Sequence, residues 1–180
     1  MDVIECIKTR RSVRRYTEEP VSHEKLEEII EAARWSPSWK NSQTVRYIAV
    51  EDKDMIKKIA EECVLNFEYN TKTLLQAQTV IILATVTKRC GYEKDGSFST
   101  SKGTGWEMFD AGIAAQTFCL AAHNAGVGSC IMGVFDEDKI KEVIGLPEGH
   151  SVSAVIPIGI PKFNPDATPR KEVADILSYR

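Results

Sequence analysis

Residues 79–87 read Thr-Val-Ile-Ile-Leu-Ala-Thr-Val-Thr, a nearly continuous run of apolar and β-branched side chains in a chain of 180 residues. The run does not alternate between apolar and polar side chains, which is typical of a strand covered on both faces of a sheet. We therefore predict that residues 79–87 form a central strand. Similar but shorter apolar runs predict further strands at 45–50 and 152–160.

Helical patterns separate these strands. Ser22, Asp52 and Asp136 each precede a run with apolar residues three or four positions apart, as N-cap residues do. The longest predicted helix, residues 106–125, is apolar almost all round, and such a helix is buried in a large core or lies between subunits. We favour the second location in a chain of this length. Strands separated by helices predict an α/β fold, with residues 1–180 as one domain.

Composition excludes several classes of protein. The net charge is −3, and basic residues are concentrated in one segment, which disfavours a nucleic-acid-binding protein with its broad basic face. The sequence contains no apolar run long enough to span a bilayer and no secretory signal pattern, so we expect a cytoplasmic protein that does not associate with membranes. The five cysteines form no C-x-x-C pair and have no metal-ligand spacing, which predicts reduced thiols and no metal site.

The basic segment contains Arg10, Arg11, Arg14 and Arg15, four arginines within six positions. A guanidinium group forms charge-assisted hydrogen bonds to phosphate, and Ser12 adds a short hydroxyl group. The segment is therefore a candidate phosphate site. The alternative is an ordinary solvated surface, or a helix end whose basic residues face the helix dipole.

Two other turn-forming stretches carry similar chemistry. Residues 36–43 read Ser-Pro-Ser-Trp-Lys-Asn-Ser-Gln, which is too polar for a core and too short for a linker, and residues 169–171 read Pro-Arg-Lys. Residues 88–105 are rich in Gly, Ser, Thr and Lys and predict a long mobile loop, a type that often forms a lid. The Gly-Val-Gly at 126–128 follows a helix and lacks the G-x-G-x-x-G spacing, so a dinucleotide-binding fold is rejected.

The joint pattern of these motifs resembles the FMN-dependent nitroreductase family of NAD(P)H-dependent flavin oxidoreductases. The motifs, in the order of that family, are Arg10-Arg11-Ser12-Val13-Arg14, Ser36-Pro37-Ser38-x-x-Asn41-x-Gln43, and Asp110-x-Gly112-x-Ala114-Ala115-Gln116 before Gly126-Val127-Gly128-Ser129. The resemblance covers essentially the whole chain. It implies an α/β (α+β) three-layer sandwich with a central mixed sheet flanked by helices, and an interlocked homodimer with FMN sites at the subunit interface.

The resemblance also implies noncovalent FMN, NAD(P)H as co-substrate and a small-molecule electron acceptor. The implied phosphate ligands are Arg10, Ser12, the backbone of Arg11, and Arg170 near the C-terminus, with Lys171 as the weaker candidate for that last place. Arg14 is implied to reach the phosphate or the ribityl chain. The implied contacts to the flavin ring are Pro37, Ser38 and Asn41 from the loop of the other subunit, Asn70 at the polar edge, and Ile131, Met132 and Gly133 beside the dimethylbenzene ring and N5.

Two positions depart from the family pattern. Some members have a lysine at the N1–O2 edge of the ring, where this chain has Thr73 with Lys72 beside it. A positive charge there would stabilise the anionic reduced flavin, so this difference bears on the redox potential. The family usually continues Gln43 with proline and tryptophan, whereas this chain has Thr44 and Val45, so we expect a different pocket floor.

The implied reaction is a ping-pong hydride transfer through flavin N5, from NAD(P)H to a nitroaromatic, a quinone or a related flat acceptor. No side chain is needed as a nucleophile, so we expect no catalytic residue in the strict sense. Trp39, Phe98 and Trp106 are candidates for lining a flat pocket, with burial in the core as the alternative. The three histidines have neither triad nor metal spacing and are interpreted as surface or structural residues.

Other functions stay open at this point. The same FMN site serves dehalogenation, ring dehydrogenation or flavin breakdown in relatives of this fold. A protein of a different class would bind flavin without turnover, or would use the basic segment only to contact a partner.

Overall fold

The computed structural model describes residues 1–180 as a four-stranded sheet flanked by helices. The strands are β1 (Val45–Val50), β2 (Thr79–Val86), β3 (Gly128–Ser129) and β4 (His150–Gly159). The order across the sheet is β1-β2-β4-β3, so β2 lies in the interior of the sheet. The central position predicted for residues 79–87 is therefore confirmed.

Seven α-helices surround this sheet: α1 (Val3–Thr9), α2 (His23–Ala33), α3 (Lys53–Glu62), α4 (Glu68–Leu74), α5 (Gly105–Asn124), α6 (Glu137–Ile144) and α7 (Val173–Ile176). A short 3₁₀ helix at Trp39–Asn41 precedes β1. The sequence patterns did not predict α4, because Phe67 at its N-cap provides no capping side chain and the helix has only seven residues. None of the helices is long and apolar enough to cross a lipid bilayer.

The predicted N-caps form as expected. The side chains of Ser22, Asp52 and Asp136 each accept a hydrogen bond from the backbone N–H three residues later, at 3.3, 2.8 and 3.2 Å. Each bond satisfies one of the free N–H groups at the start of a helix. Local sequence thus determines where α2, α3 and α6 begin.

Alternate side chains of β2 enter two separate hydrophobic clusters. Val80 and Ile82 pack with α3, α4 and α6 on one face, whereas Ile81 and Leu83 pack with α2 and α5 on the other. All four are at most 1% exposed. A strand without a polar face requires a covering layer on each side, and the result is the expected three-layer sandwich.

The pairing within the sheet differs from the expected mixed arrangement. All three neighbouring strand pairs are antiparallel. The parallel component is a single bridge between Ser12 and Ser129, where the arginine-rich segment meets the edge strand β3. This bridge is too short to count as a strand, so the sheet itself is antiparallel.

Helix α5 has one face on the sheet and another in solvent. Ala111, Ala115 and Phe118 pack against β2 and β4 in the second cluster. Met108 and Phe109, near the start of the helix, are 57% and 59% exposed. The all-round apolar pattern of residues 106–125 is thus explained, because one apolar face of α5 packs on the sheet and the other apolar face is left uncovered by the same chain.

Both ends of the chain also expose apolar side chains. Val3 and Ile4 on α1 are 72% and 58% exposed, and Val173 and Ile176 on α7 are 68% and 72% exposed. The C-terminal arm after Pro161 contributes no buried residue to either cluster. These apolar side chains of α1 and α7 therefore cover no core within one chain.

Candidate functional site

The arginine-rich segment runs in extended form along the edge of the sheet. The backbone N–H of Val13 donates to the carbonyl of Ser129 at 2.9 Å, and the Tyr16 hydroxyl donates to the carbonyl of Val13 at 2.6 Å. Gly128 permits this close approach, because a Cβ at that position would lie 2.8 Å from the Val13 side chain. Val13 and Tyr16 are buried whereas Arg14 is exposed, so the segment anchors itself by its apolar residues and directs arginines outward.

Arg10 and Arg11 line a cavity of about 330 Å³ together with Ser129 and Asn164. The Nε atom of Arg10 is buried and has no hydrogen-bond partner within the chain. A buried donor without an acceptor is unfavourable, and a bound anion would supply one. Arg11 differs, because its Nη1 atom already donates to the carbonyls of Lys8 and Arg10 at 2.6 and 2.9 Å. These two bonds engage one of the three guanidinium nitrogens of Arg11.

Ser12 and Arg14 lie around the buried thiol of Cys130. Burial raises the pKa of Cys130, and the neighbouring Arg14, Ser12 and Arg10 act in the opposite direction. These three predicted phosphate ligands therefore lie close to one point of the fold. Because Cys130 immediately precedes Ile131, the same point adjoins the segment predicted to face the flavin ring.

The structure also places Asn70 beside this segment. Its Nδ2 atom donates to the carbonyl of Val134 at 3.1 Å. Met132 is 4% exposed, and both its backbone N–H and carbonyl are bonded to Val155, at 2.8 and 3.1 Å. Ile131 and Gly133 are exposed, and the Gly133 N–H has no backbone acceptor. The Ile131 N–H likewise has no backbone acceptor, so the free N–H groups of the segment are those of Ile131 and Gly133, while Met132 holds the segment on β4.

The structure does not direct a lysine from α4 toward this segment. Thr73 is buried, and its hydroxyl donates to the carbonyl of Tyr69 at 2.7 Å. Lys72 is on the exposed side of the helix, where it pairs with Glu68 at 2.7 Å. The positive charge that some family members have at the ring edge is thus not restored by the neighbouring lysine.

The loop at residues 36–43 lies elsewhere. It contacts α5 at Asp110, whereas Arg10 lies close enough to Cys119 and His123 to influence their pKa values. Asp110 and Cys119 are separated by nine positions, which is about 13 Å along a helix axis. One chain therefore does not bring Pro37, Ser38 and Asn41 to the arginine-rich segment.

The structure shows no contact between Arg170 and the other predicted ligands. It is exposed, and its Nη1 atom donates only to neighbours, the carbonyl and hydroxyl of Thr168 at 2.9 and 2.5 Å and the carbonyl of Pro169 at 3.3 Å. The arm that carries it extends away from the core. Its role at the phosphate stays a prediction from sequence, as does that of Lys171, which is also exposed.

The three aromatic residues predicted to line a flat pocket, Trp39, Phe98 and Trp106, each contact another aromatic side chain. The rings of Trp39 and Trp106 are 4.6 Å apart between centroids, and Phe98 contacts Tyr92 at 4.8 Å. Residues 88–105, predicted to be a mobile loop, are attached at their end by a 2.7 Å hydrogen bond from Trp106 Nε1 to Thr100. The aromatic side chains therefore link this segment to the loop at 36–43.

The replacement of proline and tryptophan by Thr44 and Val45 coincides with a second cavity of about 330 Å³. Both residues line it, together with Arg34, Tyr47 and Asp110. The Thr44 hydroxyl is buried there without a partner. This cavity lies beside the loop at 36–43, and a different pocket floor stays a prediction.

Sequence reasoning missed His123, which lines the same cavity as Arg10. Its Nε2 atom is 2.9 Å from the hydroxyl of Thr9. Burial, followed by the charges of Arg10 and Arg11, lowers the pKa of His123 from its ordinary value of 6.5. Nothing in the spacing of the histidines indicated this, because the neighbours come from a different helix.

We expect His123 and His23 to titrate on opposite sides of pH 6.5. The hydrogen bond to Glu51, at 2.9 Å, and the charge of that carboxylate raise the pKa of His23. Because the pKa of His123 is depressed, the stability linked to it is present above pH 6.5 and lost as pH falls through the lowered value. Two-dimensional NMR titration of the apo protein measures the pKa of each histidine. Equal pKa values for His23 and His123 would contradict the environments described for them.

Comparison with known proteins agrees with this architecture. A model of the nitroreductase family matches residues 7–160. An Archaeoglobus fulgidus protein named NADH dehydrogenase/NAD(P)H nitroreductase is 31% identical over 93% of this chain and 98% of its own length. A Bacillus subtilis protein named FMN reductase (NAD(P)H) is 31% identical over 94% of this chain and 70% of its own length.

Solved structures of the same fold are known. A nitroreductase family protein from Clostridium novyi NT superposes with a TM-score of 0.79 at 30% identity, covering 92% of this chain and 89% of its own. A Desulfovibrio desulfuricans protein solved in complex with FMN has a TM-score of 0.73 at 24% identity, covering 100% and 97%. The family match over residues 7–160, together with the first relative's identity and coverage, shows that this chain belongs to the nitroreductase family.

Proposed function

We propose that this chain is an FMN-dependent oxidoreductase that takes electrons from NAD(P)H and reduces nitroaromatic, quinone or related flat acceptors. The observation that supports this most directly is the buried, unpaired Nε of Arg10 beside a cavity of about 330 Å³. A phosphate monoester is the anion that the surrounding arginines and hydroxyls suit best. Family membership and the FMN reductase named among the relatives support the choice of flavin phosphate.

Residues of this chain would bind the phosphate at one end of FMN and the flavin ring at the other. Arg10, Ser12 and Arg14 would hold the phosphate end, and the free N–H of Gly133 would face N5 of the ring. Asn70 donates through Nδ2 to Val134, so its side-chain oxygen is the atom left to accept a hydrogen bond from the polar edge of the ring. Bound FMN would supply two-electron transfer at N5.

The protein's part in this reaction is to bind, orient and exclude water. Ile131 is 47% exposed next to Gly133 and would offer an apolar surface to the flat ring. No acid or base is required at N5, since the cofactor carries the hydride. Because no lysine from α4 reaches this segment, we propose weaker stabilisation of the anionic reduced flavin than in members that have the lysine.

We further propose that two copies of the chain form a homodimer with an FMN site at each side of the interface. The exposed apolar residues Met108 and Phe109 on α5 support this, because a face of this kind is normally covered. In such a dimer, Ser38 and Asn41 of one subunit would complete the site of the other.

An FMN titration followed by visible absorbance tests the proposal first, and a protein that takes up no FMN would refute it. Steady-state assays with NADH and with NADPH, against a nitroaromatic, a quinone and free flavin, then test the reaction. Turnover with none of these acceptors would leave a flavin-binding protein in place of the proposed enzyme. The titration and the assays therefore separate binding from catalysis.

We expect mixed dimers to reveal which subunit supplies the loop. One chain carries Arg10→Ala and the other carries Ser38→Ala with Asn41→Ala, and differently tagged chains are purified as the mixed dimer. If the loop acts in the partner's site, one of the two sites is intact and the dimer binds half the normal FMN.

The reciprocal arrangement is the control. All three substitutions in one chain, paired with an unchanged chain, damage both sites if the loop acts across the interface and only one if it acts within its own chain. Half occupancy in this control, with none in the first dimer, would contradict the shared site.

A further inference from the structure

One oxygen atom of the Asp110 carboxylate connects α5 to the loop at 36–43 and to the segment at 88–105. It is 3% exposed on α5. Its Oδ2 atom accepts a hydrogen bond from the backbone N–H of Trp39 at 2.9 Å and another from the thiol of Cys90 at 3.0 Å. Burial, followed by the bond to Asp110, raises the pKa of Cys90 to about 12, so the thiol stays protonated and remains a donor.

The loop that this carboxylate holds has a strained backbone. Lys40, Asn41 and Gln43 have φ values of 46°, 54° and 48°, in the left-handed region that side chains disfavour. Such a conformation persists only when its surroundings determine it. Besides the turn's own hydrogen bonds, the loop is held by Ser38, whose Oγ accepts from the Gln43 N–H at 3.0 Å, by Arg46, whose Nη1 donates to the Gln43 carbonyl at 2.8 Å, and by Asp110 at Trp39.

No cation neutralises Asp110, since it forms no ion pair in the structure. A buried carboxylate without an ion pair is costly unless it is hydrogen-bonded, and here both bonds go to groups outside its own helix. An apolar side chain would serve the packing between α5 and the loop equally well. The carboxylate is therefore explained by the loop it holds and not by packing.

We propose that Asp110 is a positioning residue for the cofactor site, which fixes the backbone of Trp39 so that Ser38 and Asn41 are presented in their binding conformation. This rests on the proposed function, because the conformation of the loop matters for catalysis only if the loop contacts FMN. Asp110 itself touches neither the arginine-rich segment nor the segment at 131–133. It acts on FMN through the backbone of Trp39, which sets the positions of Ser38 and Asn41.

The substitutions Asp110→Leu and Asp110→Asn test this as a matched pair. Both side chains are close in size to each other, but only asparagine retains an oxygen that accepts from the Trp39 N–H. In the apo protein, we expect Asp110→Leu to speed hydrogen exchange at the amide of Trp39 by at least about tenfold, and Asp110→Asn to preserve most of its protection. We expect the FMN Kd to rise roughly tenfold with leucine and to stay near that of the unchanged protein with asparagine.

Glu107 provides a control on the same helix. It is also a buried carboxylate, 8% exposed, and accepts from a backbone N–H, that of Lys88 at 2.7 Å. That bond goes to the segment at 88–105 and leaves the Trp39 N–H bonded to Asp110, so Glu107→Leu should change the exchange at Trp39 and the FMN Kd by much less than Asp110→Leu does. A rise in Kd common to both leucine variants would indicate general loosening of α5 and overturn the specific role.

The two measurements also separate this inference from the proposed function. If the unchanged protein binds no FMN, the proposed function fails, and exchange at Trp39 in the leucine and asparagine variants still decides whether Asp110 fixes the loop. If Asp110→Leu frees the Trp39 amide but the FMN Kd does not change, the loop is held by Asp110 without serving the cofactor. That result, or unchanged exchange at Trp39, overturns the inference.

Discussion

Replacement of Arg10 by alanine is expected to weaken FMN binding by roughly 1.5–3 kcal/mol, which is about ten- to a hundredfold in Kd. Arg10 carries the one guanidinium N–H of the segment that is buried without an acceptor, and it lines the cavity proposed for the phosphate. A phosphate oxygen would convert that unpaired donor into a charge-assisted bond. Titration of the apo protein with FMN, followed by quenching of flavin fluorescence, measures the change.

Arg15→Ala is the matched control for this prediction. Arg15 belongs to the same segment, but it is exposed and lies over the ring of Phe163 at 5.8 Å. Its removal takes away the same charge without touching the cavity, so we expect at most about a twofold change in Kd. Equal losses for Arg10→Ala and Arg15→Ala would mean that the segment attracts FMN only by its overall charge. An unchanged Kd for Arg10→Ala would refute the phosphate assignment.

Replacement of Phe118 by alanine should lower the free energy of unfolding by about 3–5 kcal/mol. Phe118 is 0% exposed at the centre of α5, in the cluster between this helix and the sheet. Its ring stacks on that of Tyr47 on β1 with centroids 5.5 Å apart. Alanine would remove this contact and leave a cavity between two rigid layers, which relax only in part. Urea unfolding followed by circular dichroism measures the loss.

Phe109→Ala on the same helix separates the core from the outer face. Phe109 is 59% exposed and touches Trp106 edge-on at 5.5 Å. We expect Phe109→Ala to change the free energy of unfolding of a dissociated chain by less than about 1 kcal/mol. In sedimentation experiments, we expect it to weaken the dimer. If Phe109→Ala and Phe118→Ala lowered the free energy of unfolding equally, the outer face of α5 would belong to the core of the single chain. The proposed interface would then be wrong.

The fold was largely predictable because its signals are local. Ser22, Asp52 and Asp136 cap their helices through bonds that reach only three residues along the chain. β2 begins at Thr79 as predicted, since a run without polar side chains has to be covered on both faces. Helix α4 was missed because seven mostly polar residues, without a capping side chain, give neither periodicity nor a start signal.

The candidate site was predictable only as a set of separate motifs. The sequence indicated the arginine-rich segment, the loop at 36–43 and Asn70, but no spacing along the chain indicates which of them adjoin. The structure brings Asn70 to the segment at 131–133 through Val134, and it leaves Arg170 exposed on the arm. His123 and Asp110 had no predicted role, because their partners come from elements far away in sequence.

By itself, the sequence predicted helices packed on a central strand covered on both faces and indicated a candidate anion site, since apolar periodicity and clustered guanidinium groups are properties of short stretches. Only the tertiary structure decided that Arg10 has an unpaired buried donor, that Met132 holds its segment on β4, and that Asp110 holds the loop at Trp39. The physical reason is the distance along the chain over which each signal acts. Burial and hydrogen-bond partnership depend on atoms brought together by folding, and those atoms leave no joint pattern in the order of the residues.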